Sequence, residues 1–91
     1  MGELTRFEGI KIKMYPFDTQ KYKEPHFHVI LSNGKKVSVA ISDGRILEGE
    51  LSRRDRDLVM GWMLIHREEI WDRWNNAVAG KHIEKIPPKQ I

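Results

Sequence analysis

The segment His26–Ser42, HFHVILSNGKKVSVAIS, decides how the chain folds. From His26 to Ser32 the side chains alternate with a period of two. Phe27, Val29 and Leu31 lie on one face, and His26, His28 and Ile30 on the other. From Lys35 to Ser42 the period returns, with Val37, Val39 and Ile41 opposed to Ser38 and Ala40. The turn decides which faces meet. A two-residue Asn33-Gly34 turn pairs His28 with Val39 and Phe27 with Ala40, mixing imidazoles with valines. A three-residue loop, Ser32-Asn33-Gly34, pairs Val29 with Val37 and Phe27 with Val39. It also sets Gly34 at the left-handed position of a type I turn plus G1 bulge. Only the second builds a continuous apolar face, and a slip of one residue would exchange the faces. The three-residue loop is therefore expected. It sets His26 across from Ala40 and His28 across from Ser38, on a face expected to stay open.

Working outward, Ile10, Ile12 and Met14 alternate with Lys11 and Lys13 between Phe7 and Tyr15, the pattern of a half-buried strand. The polar stretch Pro16–Pro25 reads as an exposed, partly stiff loop of unusual length. After the second long strand, Asp43-Gly44 signals a hairpin with two registers. One pairs Ile41 with Ile46; the other pairs Val39 with Leu47 and lines His28, Ser38 and Glu48 across three strands. Both remain open at this level.

Ser52-Arg53-Arg54-Asp55 resembles a capping box with Asp in place of Glu. It opens a helical pattern whose stripe is Val59, Met63, His66, Ile70, Trp74 and Ala77, with Leu58, Trp62 and Ile65 beside it. Gly80 is a stop signal, and Pro87-Pro88 forbid continuation. One straight helix over this span would be roughly 40 Å long, so two helices or a marked bend near His66–Glu68 are expected. The expectation is a single α+β domain over residues 1–91. It is an antiparallel meander of about four strands (about 7–51), one face covered by one bent or two C-terminal helices (about 52–80), then a tail (81–91).

The chain has 91 residues, no cysteine, and a net charge of +3, which permits a polyanionic partner without requiring one. Disulfides, thiolate zinc sites and cysteine nucleophiles are excluded. The longest wholly apolar stretch, Trp62–Ile65, is far too short to cross a membrane. The first residues lack the layout of a signal peptide, so a cytoplasmic location is the default expectation. No P-loop, dinucleotide fingerprint, nucleophile elbow or zinc-finger spacing occurs.

His26 and His28 carry the strongest chemical signal. Residues i and i+2 on a strand point the same way, roughly 7 Å apart, a spacing suited to two ligands on one divalent metal such as zinc, or to an acid–base pair. A metal site normally needs a third ligand, for which Glu48, Glu50, Asp43 and Glu24 are the candidates. The plainer reading makes both histidines ordinary strand residues. His66, alone in an apolar stripe, reads more readily as part of a helix junction, and His82 has no companion. Lys11, Lys13 and Lys36, with Tyr15 for stacking, would suit a phosphate backbone. Equally, exposed strands carry lysine for solubility and to block edge pairing. Trp62 and Trp74 read as core, and Trp71, off the main stripe, as a candidate partner contact.

The stretches GIKIKMY, EPHFHV, ILEGELSRR and HREEIWDRWNNAVAG, in this order, resemble a family of small bacterial and archaeal proteins catalogued as a domain of unknown function. That family is recognised by a Pro-His-Phe-His signature, here Pro25-His26-Phe27-His28. The resemblance implies a small partner protein encoded alongside, in a pair like a toxin–antitoxin operon. It points to His26 and His28 first, then His66 and Glu68, as functional residues. The family's proline-rich run before the first histidine is Lys23-Glu24-Pro25 here.

Two functions stand side by side. In one, the chain is a toxin-like component acting on RNA or DNA through His26 and His28, with Glu48 a weaker third candidate and the lysines holding phosphate. Two imidazoles suffice for ribonuclease-like cleavage, because the 2′-hydroxyl is the nucleophile. In the other, it is a non-catalytic module that binds its operon-encoded partner through the open sheet face or a free sheet edge, and a homodimer is open as well. A His-based metal-binding protein is the third alternative.

Overall fold

The computed structural model describes residues 2–15 and 24–86. The hairpin at its centre has the register that apolar matching demands. Phe27 lies opposite Val39, Val29 opposite Val37, His28 opposite Ser38 and His26 opposite Ala40. Gly34 closes the loop at φ +86°, in the left-handed region a Cβ disfavours, and the Leu31 N–H donates to Lys35 O at 2.9 Å.

Around this hairpin the described residues form β1 (Glu3–Phe7), β2 (Ile10–Lys13), β3 (His26–Leu31), β4 (Lys36–Ala40) and β5 (Ile46–Glu48), then α1 (Arg53–Ile65) and α2 (Arg67–Val78). The strands pair antiparallel in chain order, a five-stranded meander. The α+β class is as expected, with one strand more. The additional strand, β1, turns into β2 through Glu8 and Gly9, both at positive φ, as a two-residue primed turn requires. Leu4 is an extra residue in its ladder, between Glu3 opposite Lys13 and Thr5 opposite Ile12. At the other edge neither expected register holds in full. Ser38 faces Glu48, but Val39 faces Ile46, because Leu47 bulges out.

Phe27, Val29, Val37, Val39, Ile10 and Ile12 are buried together with Val59, Trp62 and Met63 of α1. Trp62 meets Phe27 edge-on at 5.7 Å and Phe7 at 6.4 Å. The Ser52 side chain accepts from Asp55 N–H at 3.1 Å and starts α1 as read. The helical region is two helices, broken at His66. There the His66 N–H closes α1 on Trp62 O, and Ile70 N–H opens α2 on His66 O. Trp71, a candidate partner contact, is partly buried against the core.

Residues 81–86 do more than trail off. Ile83 and Ile86 are buried, and the Ile86 N–H donates to Leu4 O at 2.7 Å, covering the edge of β1. The Arg73 guanidinium holds this segment from α2, donating to the carbonyls of Glu84 and Lys85, each at 3.1 Å. Arg73→Ala is therefore expected to cost about 1–3 kcal/mol in urea unfolding. It should also speed hydrogen exchange at Ile86 N–H well above that of Val29. Unchanged exchange at Ile86 would show that the tail docks without this clamp.

Candidate functional site on the outer sheet face

Strand parity sends Phe27 inward and His28 outward, and the register then sets out two rows across the outer face. One row runs Glu3, Lys13, His28, Ser38, Glu48 through all five strands. The next runs Arg6, Lys11, Ile30, Lys36. Lys11, Lys13, His28, Lys36 and Glu48 are therefore brought to this face, and Arg6 joins them from β1, a strand the local sequence pattern does not mark. Lys11, Lys13 and His28 are half-buried, while Arg6, Lys36 and Glu48 are exposed. Glu3 carries an ion pair with Arg6 at 2.8 Å, and this hydrogen bond holds its carboxyl below the ordinary glutamate range.

His28 sits at the centre of the first row. Its ring packs on Tyr15 at 5.1 Å, and its Nδ1 lies 3.4 Å from Ser38 Oγ. The neighbouring His26 ring is 5.2 Å away, edge-on. His26 departs from expectation. The strand period sets it on an open face beside His28, yet it is 1% exposed, with Trp74 of α2 at 5.5 Å. The break at His66 redirects the chain into α2, which carries Trp74 to this ring. The His26 Nδ1 lies 2.9 Å from Glu24 O. A carbonyl can only accept, so the Nδ1 carries the proton and the ring's orientation is fixed.

Glu24 is itself held. Arg45 donates to Glu24 Oε2 at 2.7 Å and to Asp43 Oδ2 at 3.0 Å. The Arg45 backbone N–H also donates to Asp43, which keeps that carboxyl below the usual aspartate range, with the guanidinium adding to the effect. In turn Asp43, then Glu24, raises the Arg45 guanidinium. Two of the four candidate third metal ligands are thus engaged by one arginine. Among the described residues no cluster of three His, Asp or Glu assembles that could hold a metal. Lys21, Tyr22 and Lys23 of the expected loop lie outside the described residues.

His66 takes the junction role. It is buried, its ring lies 5.8 Å from Trp62, and its Nδ1 donates to Glu69 Oε1 at 2.7 Å. Glu68 is exposed on the far side of the junction. No helix among the described residues is long and apolar enough to cross a membrane.

Fold and site together define a small α+β protein with a His-x-His strand at the middle of a five-stranded meander. The family model described as "Domain of unknown function (DUF4160)" matches residues 9–75, and the chain belongs to that family. No curated protein and no solved structure matches the chain. The matched span starts after β1 and stops within α2, so it includes both histidines and Trp74.

The arginine bracket generates a pH prediction. A carboxyl held low contributes fully above the ordinary aspartate range and loses its contribution as the pH falls through the lowered value. Arg45→Ala should raise the Asp43 midpoint in an NMR titration, and its stability deficit should close under strongly acidic conditions. The same spectra should show His26 protonated at Nδ1 near neutral pH. A protonated Nε2 with a bare Nδ1 would contradict the bond to Glu24.

Proposed function

We propose that the chain binds single-stranded nucleic acid across its outer sheet face, as the nucleic-acid-facing member of a two-protein module like a toxin–antitoxin pair. One observation carries this reading: Arg6, Lys11 and Lys36 share a row with Ile30, directly beside the row of Lys13, His28 and Ser38. Adjacent strands are about 4.8 Å apart, so the Arg6 row offers cations over about 14 Å around one apolar side chain. That length matches a few nucleotides of extended backbone, with Tyr15 and His28 as rings for a base. The chain's modest net charge of +3 agrees with a local stripe better than with a broad basic surface.

Binding is the reading, and cleavage is not. Acid–base cleavage by two imidazoles needs both rings within reach of the ribose. His26 is buried under Trp74, which leaves His28 to meet the ligand and gives His26 the task of holding it.

Titration of a fluorescent oligouridylate at several salt concentrations tests this. Combining Lys11→Ala, Lys13→Ala and Lys36→Ala should weaken binding by about tenfold or more and flatten the log–log salt slope by about 2. His28→Ala should weaken binding with the slope nearly unchanged. Affinity and slope indifferent to all four substitutions would refute the assignment of the face.

A further inference from the structure

Glu3 and Arg6 stand three apart in β1, a spacing that sends side chains to opposite faces of a regular β-strand. The extra residue Leu4 cancels that rule. With Glu3 opposite Lys13 and Arg6 opposite Lys11, both side chains belong to the outer face, and the carboxylate meets the guanidinium at 2.8 Å. The same bulge is where the C-terminal segment docks, through the Ile86 N–H on Leu4 O. Docking carries the neighbouring Lys85 to Glu3, its Nζ 3.7 Å from Oε2. The Arg6 hydrogen bond, followed by the charges of Arg6, Lys85 and Lys11, holds the Glu3 carboxyl below the ordinary glutamate range against the cost of its desolvation. One carboxylate thus sits among three cations at the end of the Arg6 row. Two of these cations remain open to a ligand, Arg6 at 65% and Lys85 at 73% exposure.

We infer that the Glu3 carboxylate fills a phosphate subsite of the outer face, formed by Arg6 and Lys85, and that a phosphodiester of the bound nucleic acid takes its place. The subsite rests on the binding proposed above and extends it from the sheet onto the C-terminal segment. A phosphodiester carries one negative charge, as the carboxylate does, and offers a guanidinium fork two acceptor oxygens in the same way. Glu3 is therefore an internal competitor. It neutralises Arg6 and Lys85 until a ligand displaces it, which raises the threshold for any single anion. An oligonucleotide already held by Lys11 and Lys36 meets Arg6 at high effective concentration and passes that threshold. Glu3, Arg6 and Lys85 all lie outside the span 9–75 matched by the family model, so the subsite belongs to this chain's flanking segments.

Titration of a fluorescent oligouridylate at several salt concentrations tests the subsite, with thermal melting as the check on folding. Glu3→Gln keeps the side chain's size and removes its charge. It should tighten binding about three- to fivefold, the scale of one exposed ion pair that no longer has to break. It should also steepen the log–log salt slope by about 0.7, one further phosphate contact on a single strand. Lys85→Ala should weaken binding and flatten the slope by about the same amount. Removing an acid also relieves general repulsion, so the deciding comparison is the Arg6→Ala background, where Glu3→Gln should bring almost none of its gain. Three results overturn the subsite while leaving the lysine rows as the binding face: a wild type that binds with no gain from Glu3→Gln, a gain that survives Arg6→Ala, or affinity and slope indifferent to Lys85→Ala. Failure of the wild type and of Glu3→Gln alike to bind oligouridylate removes the subsite and the binding face together.

Discussion

The structure hangs on the parity of β3. With Phe27 opposite Val39 and beneath Trp62, alternate residues are committed to the core and those between them to the outer face. A slip of one residue would drive His28 under α1 and expose Phe27 and Val29, so the apolar side fixes the chemical side as firmly as it fixes itself. The two rows across the outer face follow from that choice. No residue on them had to be positioned separately, because the ladder carries the alignment from β1 to β5.

The break at His66 is the second constraint. One uninterrupted helix from Arg53 to Val78 would be about 39 Å long, more than the largest extent of the molecule, 33 Å. Breaking the helix leaves α1 over the Phe27 side and brings Trp74 of α2 to the His26 ring. Each neighbour in the sequence His26-Phe27 thus has its own tryptophan, one from each helix. The buried imidazole at the junction is satisfied by Glu69 on the first turn of α2, where a carboxylate is also favoured by the helix dipole.

What could be read from the sequence is whatever a local period or cap writes down. The β3–β4 register came from apolar matching, α1 from Ser52, and the helix break from length alone. β1 was not legible, because the Leu4 bulge interrupts its alternation and Glu8 enters the left-handed region usually left to glycine. The docking of Ile83 and Ile86 was hidden for a different reason. Two apolar residues in a polar segment carry no period, and their anchor, Leu4 O, lies at the other end of the chain. The site was legible as a set of residues on one face and illegible in depth. Nothing near His26 announces that Trp74 will cover it, since helical spacing assigns Trp74 to core without saying against what.

That depth changes what the face can do. The His28 row ends in acid on both sides, at Glu3 and Glu48. An anionic chain lying along it would meet repulsion at each edge of the sheet. The neighbouring row has no acid at its register positions and carries three cations. A polyanion bound as proposed would therefore be steered onto Arg6, Lys11 and Lys36 and would touch the His28 row only at its centre, beside Lys13, His28 and Tyr15. In that reading the acids that cap the His28 row, together with the burial of His26, would confine contact to one imidazole and set the path of the proposed ligand across the strands.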